Sequence, residues 1–183
     1  MNKLISGVVA TMLLAGSAFA FSAKGEPELG FTGYKTAAKT AVGGVFKKFE
    51  FKSMKNEKFA DFAKSIEINI DSNGIETKPK TPLRDNRIIA IFKKEPIMAK
   101  VVDVQGDENK GMFKLEITTN GISKTYDAPY EFKDGMLTAK ATIDVLDFNL
   151  NETFAKFAEE CKALHAGKTW SETEVSLKLA VEK

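Results

Sequence analysis

Residues 167–183, GKTWSETEVSLKLAVEK, carry the alternation that decides the fold. Val175, Leu177, Leu179 and Val181 fall on one side of an extended chain, and Glu174, Ser176, Lys178 and Glu182 on the other. Successive side chains of a strand point to opposite faces, so an apolar period of two is a β-strand with one dry face and one wet face. The dry face must look either at a packed core or at something the protein carries.

The same reading along the chain yields about eight strands: residues 28–35, 41–51, 65–71, 96–105, 111–119, 122–132, 136–148 and the stretch above. SIEINID at 65–71 alternates most cleanly, and Asp134-Gly135 is a strong tight-hairpin signal between two strands. Gly43-Gly44 suggests a bulge or sharp bend inside the second strand. Two helices interrupt the series. Residues 56–65 place Phe59, Phe62 and Ala63 on one side. Residues 149–167 carry the stripe Phe154, Phe157, Ala158, Cys161 and Leu164, with Asn149 and Glu152 as a capping pair and Gly167 as the stop. Residues 74–92 form the longest irregular piece, stiffened by Pro79 and Pro82, with a helix allowed at its end. The expected fold is all-β, an eight-stranded antiparallel barrel with one short and one longer helix. A barrel of that size either fills with side chains or holds one ligand. A two-sheet sandwich is the competing architecture.

Residues 1–20 combine Lys3, an apolar run over about residues 4–14, and Ala18-Phe19-Ala20, a small-x-small cleavage site. The run is too short for a mature bilayer anchor, and no cysteine follows the cut to take a lipid. The expectation is a cleaved signal peptide, 1–20, and one exported domain, 21–183, in the periplasm. The chain has 27 basic and 25 acidic residues, and loss of Lys3 brings it to near neutrality. That balance argues against a nucleic-acid partner. One cysteine, Cys161, excludes an internal disulfide framework.

Several stretches, in order, resemble the YceI-like family of bacterial periplasmic proteins. They are FTGYKTAAKTAVGGVFKKFEF (31–51), IEINIDSNGIET (66–77), LRDNRI (83–88), Glu95-Pro96-Ile97-Met98, GMFKLEITTNGISK (111–124) and LHAGKTWSETEVSL (164–177). The chain departs from the family pattern at Asn86, where many members have histidine. The resemblance implies a lipocalin-like barrel around an elongated apolar cavity that holds a long isoprenoid- or quinone-type, or fatty-amide-like, ligand.

The 14 Phe, three Tyr and one Trp would suit a filled core at least as well; the resemblance turns the reading towards a cavity. The residues assigned to its wall are Phe46, Ile66, Ile68, Val102, Phe113, Leu115, Ile117, Tyr126, Tyr130, Ile143, Val145 and Leu177. Arg84, Asp85 and Arg87 are candidates for a polar mouth that binds a head group, or for a structural Arg–carboxylate pair tying their loop to the barrel. Cys161 and His165 share one side of a helix, but no third partner completes a triad or a zinc site, so Cys161 reads as structural. No catalytic residue, metal or cofactor is expected, and nothing like G-x-S-x-G supports a lipid-ester hydrolase. The expected function is a non-enzymatic periplasmic carrier of a lipid-like molecule, without stable membrane insertion and compatible with a homodimer. The alternative is a filled-barrel envelope interaction or stress-response module.

Overall fold

The computed structural model describes residues 19–183, so nearly all of the expected signal peptide lies outside the described residues. The strands are β1 Ser22–Ala23, β2 Glu28–Lys35, β3 Thr40–Phe46, β4 Phe49–Lys52, β5 Glu67–Ile70, β6 Ile75–Thr77, β7 Ile97–Gly106, β8 Lys110–Thr119, β9 Ile122–Lys133, β10 Met136–Asp144 and β11 Thr169–Glu182. The helices are α1 Phe59–Lys64, α2 Pro82–Ile91 and α3 Asn151–Cys161. Ten strands form one antiparallel sheet in the order β4-β5-β7-β8-β9-β10-β11-β2-β3-β6, with β1 paired on β11 off this path. The sheet curls into a half-barrel until the two ends of the order approach each other. Lys47 and Lys48 alone carry the chain from β3 to β4, a reach of about 10 Å at most.

Among the described residues, the count of eight strands is therefore corrected to eleven, and two helices become three. Residues 41–51, read as one strand, are two: the chain leaves β3 at Phe46 and joins the opposite end of the sheet at Phe49. The change of parity is the mark of that break: Val42 and Phe46 face inward from β3, Phe49 and Phe51 from β4. The stretch taken as irregular holds β6 and α2, where Pro82 opens the helix at its first turn. Gly43-Gly44 makes no bulge either. Phe31 pairs with Gly44 in unbroken register, and the glycine is needed for space: a Cβ there would stand 2.2 Å from the Phe31 ring. Gly111 plays the same part under Tyr130, its cross-strand partner.

The hairpins form as their residues dictate. Asn120-Gly121 and Asp134-Gly135 both take positive φ (51° and 72°, 51° and 75°), the conformation of two-residue type I′ turns. Asn149, expected to cap α3, instead adopts φ 55° and ends a short 3-10 turn, Val145–Phe148; α3 starts without a side-chain cap. Gly167, at φ 81°, closes the turn that follows α3 rather than the helix itself.

One end of the half-barrel is filled. α1 turns Phe59, Phe62 and Ala63 inward, where Phe59 meets Phe21 edge-on at 5.4 Å and lies 5.4 Å from Tyr130. Phe21 in turn packs on Phe132 at 6.0 Å, and Tyr130 stacks on Phe113 at 4.0 Å. Leu137 and Leu179, directly opposite each other across β10 and β11, are completely buried against this aromatic plug. Such rings bury large areas and add edge-to-face attraction, which suits them to stop the end of a barrel.

Candidate functional site: an apolar cavity with a cationic mouth

Beyond the plug, the same sheet face opens onto a cavity of about 460 Å³, within the range of ~300–1,000 Å³ common for small-molecule sites. Its walls are the inward positions of successive strands. Leu29, Phe31 and Gly33 come from β2, Ile97, Ala99 and Val101 from β7, and Phe113, Leu115, Ile117 and Thr119 from β8. Val175 and Leu177 of β11 line it, whereas Leu179 and Val181, on the same dry face, are buried in the packed end. The question raised by the alternation thus has two answers along one strand.

Helices α2 and α3 cover the opening. α2 offers Arg84, Arg87, Ile88 and Ile91 to the cavity, the i, i+3, i+4, i+7 face of a helix. α3 offers Phe154, Phe157 and Cys161. The two helices are tied together where Thr153 Oγ1 donates to the Ile91 carbonyl at 2.7 Å, and where Arg87 Nε lies 3.5 Å from a Glu160 carboxylate oxygen. A second tether fixes α2 to the sheet: the buried Asp85 accepts hydrogen bonds from the Thr77 amide, at 2.9 Å, and the Thr77 hydroxyl.

The polar groups collect at this mouth. Lys35 ends β2 opposite Thr169 at the start of β11. Thr169 Oγ1 is 2.7 Å from His165 Nδ1. Burial pushes the His165 pKa down, and the charges of Lys35 and Arg87 push it further. Burial likewise raises the Cys161 thiol, against the smaller opposing pull of Arg87. Trp170 Nε1 donates to the Thr36 carbonyl at 2.8 Å, and the ammonium groups of Lys39 and Lys168 sit 4.3 and 4.4 Å from its ring. Among the described residues, no group of three or more His, Cys, Asp or Glu is placed to hold a metal ion.

Of the residues assigned to the wall from sequence, Phe46, Ile66, Ile68, Phe113, Leu115, Ile117, Ile143, Val145 and Leu177 border the cavity. Three do not. Val102 is 40% exposed: Ile97, Ala99 and Val101 are the inward set of β7, and Val102 falls on the outer face, at the bulge where Val101 faces Leu115 and Asp103 faces Lys114. Tyr126 leans on Phe148 and donates to Asp147 at 2.8 Å. Tyr130 belongs to the plug and donates to the Asp107 carbonyl. At the mouth, Arg84 and Arg87 are present, but Asp85 turns away to Thr77. Sequence reasoning missed Lys35, Ile88, Ile91 and Trp170. The helical spacing of 84, 87, 88 and 91 was a signal for two of them; Lys35 and Trp170 meet only through the pairing of β2 with β11.

A model of the YceI-like domain matches residues 22–182. The chain belongs to the YceI-like domain family. Solved structures similar to it include a polyisoprenoid-binding domain from Saccharophagus degradans, at 14% identity and a TM-score of 0.58, covering 90% of this chain and 98% of that one. Another is BcnA of Burkholderia cenocepacia, at 16% identity and a TM-score of 0.55, covering 86% and 96%. No curated protein matches the chain in sequence. At these identities the YceI-like relatives share the fold, a curled antiparallel sheet with helices, over nearly their whole length. Among the described residues of this YceI-like chain, no helix is long and apolar enough to cross a membrane.

Proposed function

We propose that this YceI-like protein is a periplasmic, non-enzymatic carrier of a long apolar molecule of isoprenoid or quinone type, or a fatty amide. The observation that carries the reading is the division of one continuous dry face into a plugged end and an open, apolar-walled cavity. A filled-barrel module would close both parts alike. Burying a chain of ten or so methylene-sized groups, at ~0.8 kcal/mol each, supplies ample driving force without a catalytic group. The description of the Saccharophagus degradans relative as polyisoprenoid-binding supports the class of ligand.

Organic extraction of protein purified from periplasm, followed by mass spectrometry, tests it; the expected result is a stoichiometric long-chain lipid. Leu177→Trp supplies the control, since Leu177 and its partner Ala139 both face the cavity. The variant is expected to keep the wild-type thermal midpoint and lose the lipid. A lower midpoint in protein that never held lipid would establish the filled-barrel reading instead.

A further inference from the structure

We infer that the mouth of the cavity binds one anionic head group, so that the cargo is an acidic amphiphile: a carboxylate or phosphate monoester on a long apolar chain. This rests on the carrier reading above and puts an acidic head in place of its neutral ones. Among the described residues, five lysines and arginines border the cavity, Lys35, Arg84, Arg87, Lys100 and Lys140, and no aspartate or glutamate does. Two of the five are neutralised on the sheet, Lys100 by Glu116 and Lys140 by Glu174, each at 2.9 Å.

Of the other three, Lys35 and Arg87 both act on His165, and Arg84 precedes Arg87 by one turn on the cavity side of α2. Arg87 has Glu160 at 3.5 Å. Among the described residues, no carboxylate lies within ion-pair distance of Lys35 or Arg84. The nearby Glu172 is engaged by Lys39 at 2.7 Å, and Asp85 by Thr77. Arg84 gives one terminal nitrogen to the Pro79 carbonyl, while its Nε is buried and has no acceptor. Because Nε has no exposed surface, a ligand would meet the rest of the guanidinium, whose charge no carboxylate offsets. Burial lowers the His165 pKa most, and Lys35 and Arg87 add to it. A neutral quinone or amide head would leave these charges uncompensated; an oxyanion supplies the countercharge.

The test uses delipidated mature protein and four probes with one sixteen-carbon chain: hexadecanoate, hexadecyl phosphate, hexadecanol and hexadecyltrimethylammonium. Each is titrated below its aggregation limit against a displaced apolar dye, at low and high salt. The acid or the phosphate is expected to bind at least tenfold tighter than the alcohol, with the quaternary ammonium weakest and the preference reduced by salt. Whichever anion binds tighter identifies the head. Arg84→Gln and Lys35→Gln, checked for folding by thermal melt, are expected to bring the anion-to-alcohol ratio towards one. Equal affinity for anion and alcohol in the wild type overturns this inference and leaves the carrier reading standing. Failure of all four probes to bind overturns both.

Discussion

Gly44 and Gly111 act through what they lack. At each, an aromatic ring from the neighbouring strand lies across the backbone, Phe31 over Gly44 and Tyr130 over Gly111. Gly44→Ala would force a methyl group against both the Phe31 ring and the Glu76 carbonyl, 2.7 Å away. Overpacking of this kind costs roughly 1–3 kcal/mol, so the urea midpoint is expected to fall; an unchanged midpoint would show that the ring moves aside freely. His165 makes a second residue-scale prediction. It faces Lys35 from β2, Arg87 from α2 and Cys161 from its own segment, and its pKa is depressed in the folded protein. The unfolded chain takes up the proton first, so stability is full above about pH 6.5 and declines as the pH falls through that value. His165→Gln is expected to flatten that part of the melting-temperature profile, and a decline that persists unchanged would assign it to other groups.

At the scale of elements, the bulge in β7 shifts the inward set from Ile97, Ala99 and Val101 before it to Val104 beyond it. Val101 is buried, and Val102, on the other face, is exposed. Val102→Glu is expected to change stability by no more than about 0.5 kcal/mol, the range of ordinary surface changes. Val101→Glu places an unpaired charge in the cavity wall, and is expected to unfold the protein or lower its midpoint severely. Equal effects would mean that Val102 is packed as Val101 is. The helices divide their work along the same barrel. α1 is short and aromatic because it stops one end, whereas α2 shows a mixed face of arginine and isoleucine because it borders both the mouth and the apolar interior.

At the scale of the molecule, the aromatic plug begins at Phe21, the residue expected to start the mature chain. Its amide donates to the Asn56 carbonyl at 2.8 Å, it accepts from the Asn56 amide at 3.0 Å, and its ring is 2% exposed. An α-ammonium at this position still has protons to donate, so cleavage after Ala20 is compatible with the bond to the Asn56 carbonyl. N-terminal sequencing of protein from the periplasmic fraction is therefore expected to begin at Phe21. Recovery of a chain beginning at Met1 in the membrane fraction would remove both the export reading and the carrier reading.

Much of this protein was legible one residue at a time. The inward faces of β5, β8, β10 and β11 follow from period-two alternation, since a strand wet on one side and dry on the other must write that difference into its residues. Asp134-Gly135 names its own turn, because few residues tolerate positive φ twice in succession. Pairing partners lie outside that local record. The split of residues 41–51 between opposite ends of the sheet depends on where the curl closes, and the gathering of Lys35, Arg84, Arg87 and His165 on how β2, β11, α2 and α3 meet. So does the fate of β11. Val175, Leu177, Leu179 and Val181 are alike in chemistry, and only the tertiary structure decides that the first two border a cavity while the last two are packed. Burial gives them a common apolar character, but what they touch is set by distant chain: the rings of α1 and Phe21 at one end, the α2–α3 cover at the other.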